Sequence, residues 1–424
     1  MHKKVAILLA IATTTFTIAA CSDKLEAGKS CPLLCPEQAI TLRDTIIDAV
    51  HGDTTITGLP PIGSETFLML SSHGDTVETR AIVRFDTLEQ TFLAANSVDS
   101  AIKKLDSALL VLPIAKPDSA HRPATPVTIE VYDVDTAATD TVSSILGALF
   151  RPDRFLGSKT FAPESLLDTI RVPIAKDSVL ARIDSGTHLR LGLRLVTDAS
   201  RGYDIRIGTT LGGNAASLRL RASSDTAAKP LIISPVSRTP TDQAFISGPL
   251  ADYTIVLKGP TTTPETQLAV GGIPSRRSLL RFDVPAHIVD STTIVRASLL
   301  LTQTPNRRVD VHDSVYVFPL AILAAPAITE PATLLRFVSS AGFLGLDSLR
   351  LAPGDSGLRS FEIVGVVRTW RNQAATASPR ALGLLSGAEA QLPAEIDFFS
   401  TKAPPSVRPR LRITYVPQTS YGVP

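Results

Sequence analysis

Arginine carries the most chemical promise in this chain. Arg190, Arg194, Arg201, Arg206, Arg219 and Arg221 crowd one stretch, with only Asp198 and Asp204 between them. The planar fork of a guanidinium matches a carboxylate or sulfate group, so a cluster of them would grip an anionic polysaccharide. The competing use is a solvated sheet face whose arginines pair with acids of neighbouring strands. Sugars are also held on aromatic platforms, for which Tyr203, Tyr253 and Tyr316 are candidates, although strand tyrosines also serve as half-buried packing. Aromatic residues make up only 5% of the chain, with one tryptophan, which leaves little material for platforms. The ligand-binding candidates are therefore Arg190, Arg194, Arg206, Arg219, Arg221 and Tyr253.

Other chemistries find less support. Asp133, Asp135 and Asp252 offer oxygens of the kind calcium takes six to eight of, but no EF-hand-like string accompanies them. No cofactor is expected, structural calcium with an unassigned ligand set being the alternative. The 7 histidines are scattered, without H-x-H or H-E-x-x-H, so no zinc or other metal site is expected. Gly28-Lys29-Ser30 lacks the glycine five residues before the lysine that a phosphate loop needs. Gly354-Asp355-Ser356-Gly357 resembles the nucleophile loop of chymotrypsin-type proteases. That chemistry requires a histidine base, a buried aspartate and an oxyanion hole, and no such histidine context surrounds His287 or His312. After Ala352-Pro353 the motif reads as a turn. No catalytic residue is assigned, and the expectation is a protein that is not an enzyme.

The first twenty residues read as an address. His2, Lys3 and Lys4 precede an apolar run from Val5 to Ala20, too short for a comfortable membrane span and ordered like a secretory signal. Ile18-Ala19-Ala20-Cys21 resembles the bacterial lipobox, which implies diacylglyceryl transfer to the Cys21 sulfur. An ordinary signal peptide with an incidental cysteine is the alternative. Two or more acyl chains anchor stably. Ser22 after the cysteine resembles the outer-membrane sorting pattern, so the expected location is the cell envelope, as an outer-membrane lipoprotein facing the periplasm or the surface. Cys31 and Cys35 remain; an oxidising envelope favours a disulfide between them, free thiols being the alternative. Loss of Lys3 and Lys4 with the leader leaves 40 basic against 40 acidic residues, so no global field gathers nucleic acid.

The elements that must position these groups are short strands. The chain, at 424 residues, suits two domains, and its 31 prolines argue against long helices. Arg80-Ala81-Ile82-Val83-Arg84-Phe85-Asp86 returns as Arg277-Ser278-Leu279-Leu280-Arg281-Phe282-Asp283. Ser107–Leu112 returns as Arg296–Leu301, Leu191-Gly192-Leu193 as Leu382-Gly383-Leu384, and Leu218-Arg219-Leu220 as Leu411-Arg412-Ile413. Landmarks in one order at nearly one spacing indicate a duplication. Apolar residues within them alternate at period two, the pattern of antiparallel strands with one dry face. Helical period appears only around Ser143–Phe150 and Ala332–Ser339. The expected fold is all-β, two tandem antiparallel β-sandwiches. The expected boundaries are a signal peptide over 1–20, a lipidated tether over 21–42, sandwiches over 43–235 and 243–416, and a tail over 417–424, with the joint in Ser234–Asp242.

The second copy resembles DNRLRE-type domains, which are similar to the family-96 carbohydrate-binding modules. The resemblance rests on Leu268-Ala269-Val270-Gly271, Arg277–Asp283, Ala297–Leu301, Ser360–Ile363 through Val367 and Trp370, Phe398–Thr401 and Arg408–Tyr415. It spans about residues 250–416 and fades over 43–235, where Trp370 has no counterpart. It implies jelly-roll sandwiches and, through the family's frequent roles, glycan binding or surface adhesion. The expected function is thus a non-catalytic, lipid-anchored envelope protein binding an extracellular polysaccharide. The alternative is an assembly lipoprotein docking on another envelope protein.

Overall fold

The computed structural model describes residues 42–417, apart from 59–61, 118–120, 139–140, 199–201, 224, 226, 239–249, 260–261, 307–312, 323–333, 335–346, 372–379 and 390. Cys21, Cys31, Cys35 and Arg201 lie outside the described residues, as does most of the 332–339 segment expected to be helical. The chain is nearly all β and forms two antiparallel sandwiches. The first half carries β1 (Arg43–Ile47), β2 (Val50–Gly58), β3 (Phe67–His73), β4 (Val77–Phe85), β5 (Thr91–Leu93), β6 (Asp99–Ala101), β7 (Leu105–Pro113) and β8 (Val127–Asp133). It continues through β9 (Phe155–Phe161), β10 (Thr169–Pro173), β11 (Leu189–Thr197), β12 (Tyr203–Gly208), β13 (Ser217–Ala222) and β14 (Leu231–Ile233). The second half carries β15 (Asp252–Lys258), β16 (Gln267–Gly271), β17 (Ser275–Phe282), β18 (Thr292–Thr304) and β19 (Val315–Ile322). It closes with β20 (Leu349–Leu351), β21 (Gly357–Glu362), β22 (Ala381–Ser386), β23 (Glu395–Phe399) and β24 (Arg410–Pro417).

Apart from the β5–β6 pair, the two sandwiches match strand for strand. β10-β7-β13-β14 has its counterpart in β21-β18-β24-β1, and the run β9-β8-β11-β4 in β20-β19-β22-β17. Register agrees as well: Val83 faces Leu191 as Leu280 faces Leu382, and Leu110 faces Leu218 as Leu299 faces Leu411. Alternation then sorts each strand. Leu110, Leu112, Val83, Leu191 and Leu218 enter one core, and their counterparts Leu299, Leu301, Leu280, Leu382 and Leu411 the other. Short helices, Lys176–Asp184 and Val364–Thr369, pack on β7 and β18 in turn. The first was not anticipated, because its apolar stripe is narrow: only Val179 and Ile183 are buried.

Strand pairing crosses the expected boundary between the copies. β1 pairs with β24 and β2 runs along the whole of β17, so residues 43–58 complete the second sandwich. Conversely β15 pairs with β4, and residues 252–258 complete the first. The first half therefore lends β1 and β2 to the second sandwich, and the second half lends β15 to the first. The physical reason is that periodicity fixes which face of a strand is dry but leaves its pairing partner open, and that choice is made by long-range hydrogen bonds.

Candidate functional site

The arginine cluster of the sequence divides between two sheets. Arg190 and Arg194 lie on the outward face of β11, and Arg206 on β12, all in the larger sheet of the first sandwich. This face is only partly open, with Arg194 and Arg206 half-buried. Helix Ser143–Gly147 and Phe150 cover it, packing Leu146 and Phe150 over Ile82, Tyr132 and Tyr253. Arg190 is buried and its Nε donates to Asp86 Oδ1 at 3.3 Å. Arg194 approaches Glu78 at 3.8 Å and Glu130 at 3.7 Å. Arg206 stands over the Phe67 ring at 5.6 Å. Tyr253 is corrected outright as a sugar platform: it is 0% exposed, and its hydroxyl accepts a hydrogen bond from Arg84 NH2 at 3.2 Å. A half-polar ring needed a partner for its hydroxyl on burial, and the arginine two strand positions from Ile82 supplied it.

Arg219 and Arg221 lie elsewhere, on the outer face of the four-stranded sheet β10-β7-β13-β14. Here the face is exposed. Its outward positions include Arg171 of β10, Leu109 and Val111 of β7, Arg219 of β13 and Ile232 of β14, which is 65% exposed. Arg171 was missed by the sequence reading, although the alternation Thr169-Ile170-Arg171-Val172-Pro173 places it on the wet face. With strands about 4.8 Å apart and about 3.4 Å per residue, Arg171 and Arg219, two strands apart and offset by two residues, sit roughly 12 Å apart across the sheet.

The second sandwich shows what this face looks like when its cations are satisfied. Arg412, counterpart of Arg219, donates to Asp44 from Nε at 3.0 Å and from NH2 at 2.6 Å. That contact holds the Asp44 carboxyl below its ordinary range. Arg296 donates to Glu362 Oε2 at 2.7 Å. By register, Pro230 stands where the second sandwich has Asp44, and Pro173 where it has Glu362. Arg219 and Arg171 make no ion pair among the described residues. Asp106 is exposed at the rim, in the bulge beside Arg221.

Beside this face, the open edge of β14 borders a cleft of about 480 Å³. Leu231 and Ile232 of β14, Phe92 and Leu93 of β5, Glu89 and Asp99 line it. The hairpin β5–β6 that builds it occupies the place of the short helix Ala286–Val289 in the second repeat.

The other sequence candidates find ordinary partners. Arg182 donates to Asp133 Oδ2 at 2.6 Å and to Asp135 Oδ2 at 3.1 Å, and His188 Nε2 lies 2.6 Å from Asp135 Oδ1. A guanidinium and an imidazole thus stand where calcium would. Asp252 Oδ2 accepts from the Thr210 backbone N at 2.8 Å and its hydroxyl at 2.7 Å. Among the described residues no group of three or more His, Cys, Asp or Glu side chains could hold a metal ion. Gly354–Gly357 forms the exposed turn into β21, where Arg359 approaches Asp355 at 3.5 Å.

One buried carboxylate escaped sequence reading. Glu65 is 3% exposed and its Oε2 has no hydrogen-bond partner. Its counterpart Glu265 is exposed and held by Lys402 at 2.8 Å, but Leu211 replaces that lysine in the first repeat. Burial, with the nearby Asp252 charge adding to it, pushes the Glu65 carboxyl up to about 7. The folded state therefore favours the protonated form, and the stability this confers is complete below about pH 4.5 and lost as pH rises through 7. Glu65→Gln is expected to remove the loss: the stability difference between variant and wild type should grow by about 3 kcal/mol between pH 4 and pH 8. Urea titrations at the two pH values measure it, and a constant difference would show that Glu65 is ionised in the native state at no cost.

No family model and no curated relative matches the chain. Among solved structures, the Macrobrachium rosenbergii nodavirus overlaps 91% of this chain and 92% of its own at 9% identity and a TM-score of 0.19. The infectious bursal disease virus Gt strain overlaps 91% of this chain and 78% of its own at 11% identity and a TM-score of 0.14. The tandem CBM22-1–CBM22-2 domain of Paenibacillus barcinonensis Xyn10C overlaps 86% of this chain and 100% of its own at 8% identity and a TM-score of 0.16. Scores this low leave the description of the fold to the chain's own sheets.

Proposed function

We propose that this chain is a lipid-anchored, non-catalytic envelope protein that binds an anionic polysaccharide on the outer face of β10-β7-β13-β14. The observation that carries the reading is Arg219, which has lost the carboxylate its counterpart Arg412 keeps, on a face left open to solvent. Arg171 and Arg221 extend the same face, and guanidinium groups recognise carboxylate and sulfate bidentately. The lipobox-like Ile18–Cys21 supports attachment to the outer membrane, and the DNRLRE-like motifs of the second repeat support a glycan-binding role.

The test is affinity chromatography of the chain from Ser22 onward on acidic, sulfated and neutral polysaccharides. Retention is expected on the charged matrices and should fall as salt shortens the screening length from about 10 Å at 0.1 M to about 3 Å at 1 M. Exposed charge contacts contribute about 1 kcal/mol or less each, so Arg171→Ala with Arg219→Ala should weaken binding roughly tenfold. Arg412→Ala should leave it unchanged. Equal retention on neutral glucan, or indifference to the double variant, would reject the reading. The cleft beside β14, with Leu93 60% exposed, favours docking on another envelope protein as the second reading. That reading requires a specific protein partner whose capture is abolished by Ile232→Lys.

A further inference from the structure

The exchanged strands are held by a shared set of side-chain contacts. In β2 the run is Asp53-Thr54-Thr55-Ile56, and in β15 it is Asp252-Tyr253-Thr254-Ile255. Thr55 Oγ1 accepts from the Ala269 backbone N at 3.2 Å, and Thr254 Oγ1 from the equivalent Met69 N at 3.0 Å. Asp53 Oδ2 accepts from Thr401 N at 2.6 Å, and Asp252 Oδ2 from the equivalent Thr210 N at 2.8 Å. Ile56 and Ile255 are both buried beneath the outer face of their sheets. Just ahead, Asp283 N donates to Ala49 O at 2.7 Å as Asp86 N donates to Val236 O at 3.0 Å. Every one of these bonds joins a leading strand to the body of the other repeat. Each groove therefore recognises an extended Asp-x-Thr-Ile strand and not its covalent neighbour.

We propose that the groove filled by β1 and β2 in the second sandwich is a strand-acceptor site for a second copy of this chain. Among the described residues, the leading strands β1 and β2 form their ladders only with β24 and β17, so withdrawing them breaks no strand pairing described inside the first sandwich. They are joined to it through residues 59–66 alone, a link matched in length by residues 259–266 after β15. Donated from another molecule, the same strands remake the same bonds to Ala269, Thr401 and Asp283. The interface is then conserved between closed monomer and exchanged pair, and protein concentration decides between them, as in domain swapping generally.

The experiment uses the full-length chain carrying Cys21→Ser, Cys31→Ser and Cys35→Ser, so that only introduced thiols remain. Ile46 and Arg412 are exposed partners across β1 and β24, at a spacing a disulfide can bridge. Heavy-isotope-labelled chain with Ile46→Cys is unfolded, mixed with unlabelled chain carrying Arg412→Cys, and refolded at increasing concentration. The expected result is a heavy–light disulfide between positions 46 and 412 whose yield rises with concentration. The same chain bearing both substitutions should close on itself when refolded dilute. Adding Asp53→Ala and Thr55→Val to the donor should cut the heavy–light yield several-fold. Absence of the heavy–light bond while the double-cysteine chain closes would overturn the proposal. Failure of that chain to close would overturn it too, because the register defining the groove would be wrong.

Discussion

Deletion of residues 43–58 is expected to unfold the second sandwich while the first stays native. The counterintuitive direction follows from pairing: the first of the described strands lie in the second sandwich. Ala49, Val50 and Ile56 are buried there at 2%, 8% and 7% exposure. Fully burying a valine or isoleucine contributes about 1.5–3 kcal/mol, so these side chains together supply about 4–7 kcal/mol. The whole of β17 would also lose one of its ladder partners. Against a usual domain stability of about 5–15 kcal/mol, little remains. The chain contains its own reporter. Its single tryptophan, Trp370, is 4% exposed in the second core, with its ring centroid 5.2 Å from that of Phe282. The deletion should shift Trp370 emission to that of a solvated indole while the backbone signal of the first sandwich persists. Deleting residues 250–258 should do the reverse, leaving Trp370 native and melting the first sandwich, which loses Tyr253 and Ile255. A native Trp370 spectrum after the first deletion would mean that the N-terminal strands decorate the second sandwich without completing it.

Much of the fold is legible in the residues, and the reason is local. The landmark Leu191-Gly192-Leu193 is aligned with Leu382-Gly383-Leu384 by sequence, and both runs meet the equivalent strands β4 and β17 in the same register. Period-two alternation is a property of neighbouring residues, so it survives translation into structure. Strand exchange is not local. Asp53-Thr54-Thr55-Ile56 and Asp252-Tyr253-Thr254-Ile255 are alike enough to betray their equivalence, but nothing in either run says which β17-like strand it will join. The candidate site shows the same division. Arg219 and Arg221 fall on an open face, while Tyr253 falls beneath helix Ser143–Gly147 and Phe150 and Arg190 is buried beside Asp86, on strands whose alternation reads identically. Whether a wet face stays wet depends on what a distant segment lays across it. Duplication restores part of that lost information. Comparing Arg412 beside Asp44 with Arg219 beside Pro230 shows that the two repeats have diverged at the surface while keeping their cores.

Glu389→Ala is expected to cost the second sandwich about 3–5 kcal/mol, the usual penalty for stranding one member of a buried ion pair. Arg277 opens the repeated Arg277–Asp283 run and is 2% exposed. Its Nε donates to Glu389 Oε1 at 2.8 Å and Oε2 at 3.0 Å, and its NH2 to Glu389 Oε2 at still closer range. Next to it, Arg276 pairs with Glu395, whose other oxygen accepts from Asn306 Nδ2 at 3.2 Å. These bonds offset the desolvation of the charges without exceeding it by much, because taking each ion from water is itself expensive. Removing the carboxylate alone leaves the guanidinium desolvated and uncompensated. Removing both charges does not, so Arg277→Met with Glu389→Leu should return most of the lost stability. The exposed pair Lys402–Glu265 is the control, and its loss should leave the transition where it was. Denaturant titrations followed through Trp370 emission read all of these variants. If Glu389→Ala and the double replacement cost the same, the attraction within the pair, and not the stranding of Arg277, would account for the loss. The repeated arginine would then mark an ion pair that stabilises in its own right. If the double replacement recovers stability, the arginine instead marks a charge whose acid each repeat has had to find separately: Glu389 from the turn after β22 in one, and Glu78 on β4 itself, 2.6 Å from Arg80, in the other.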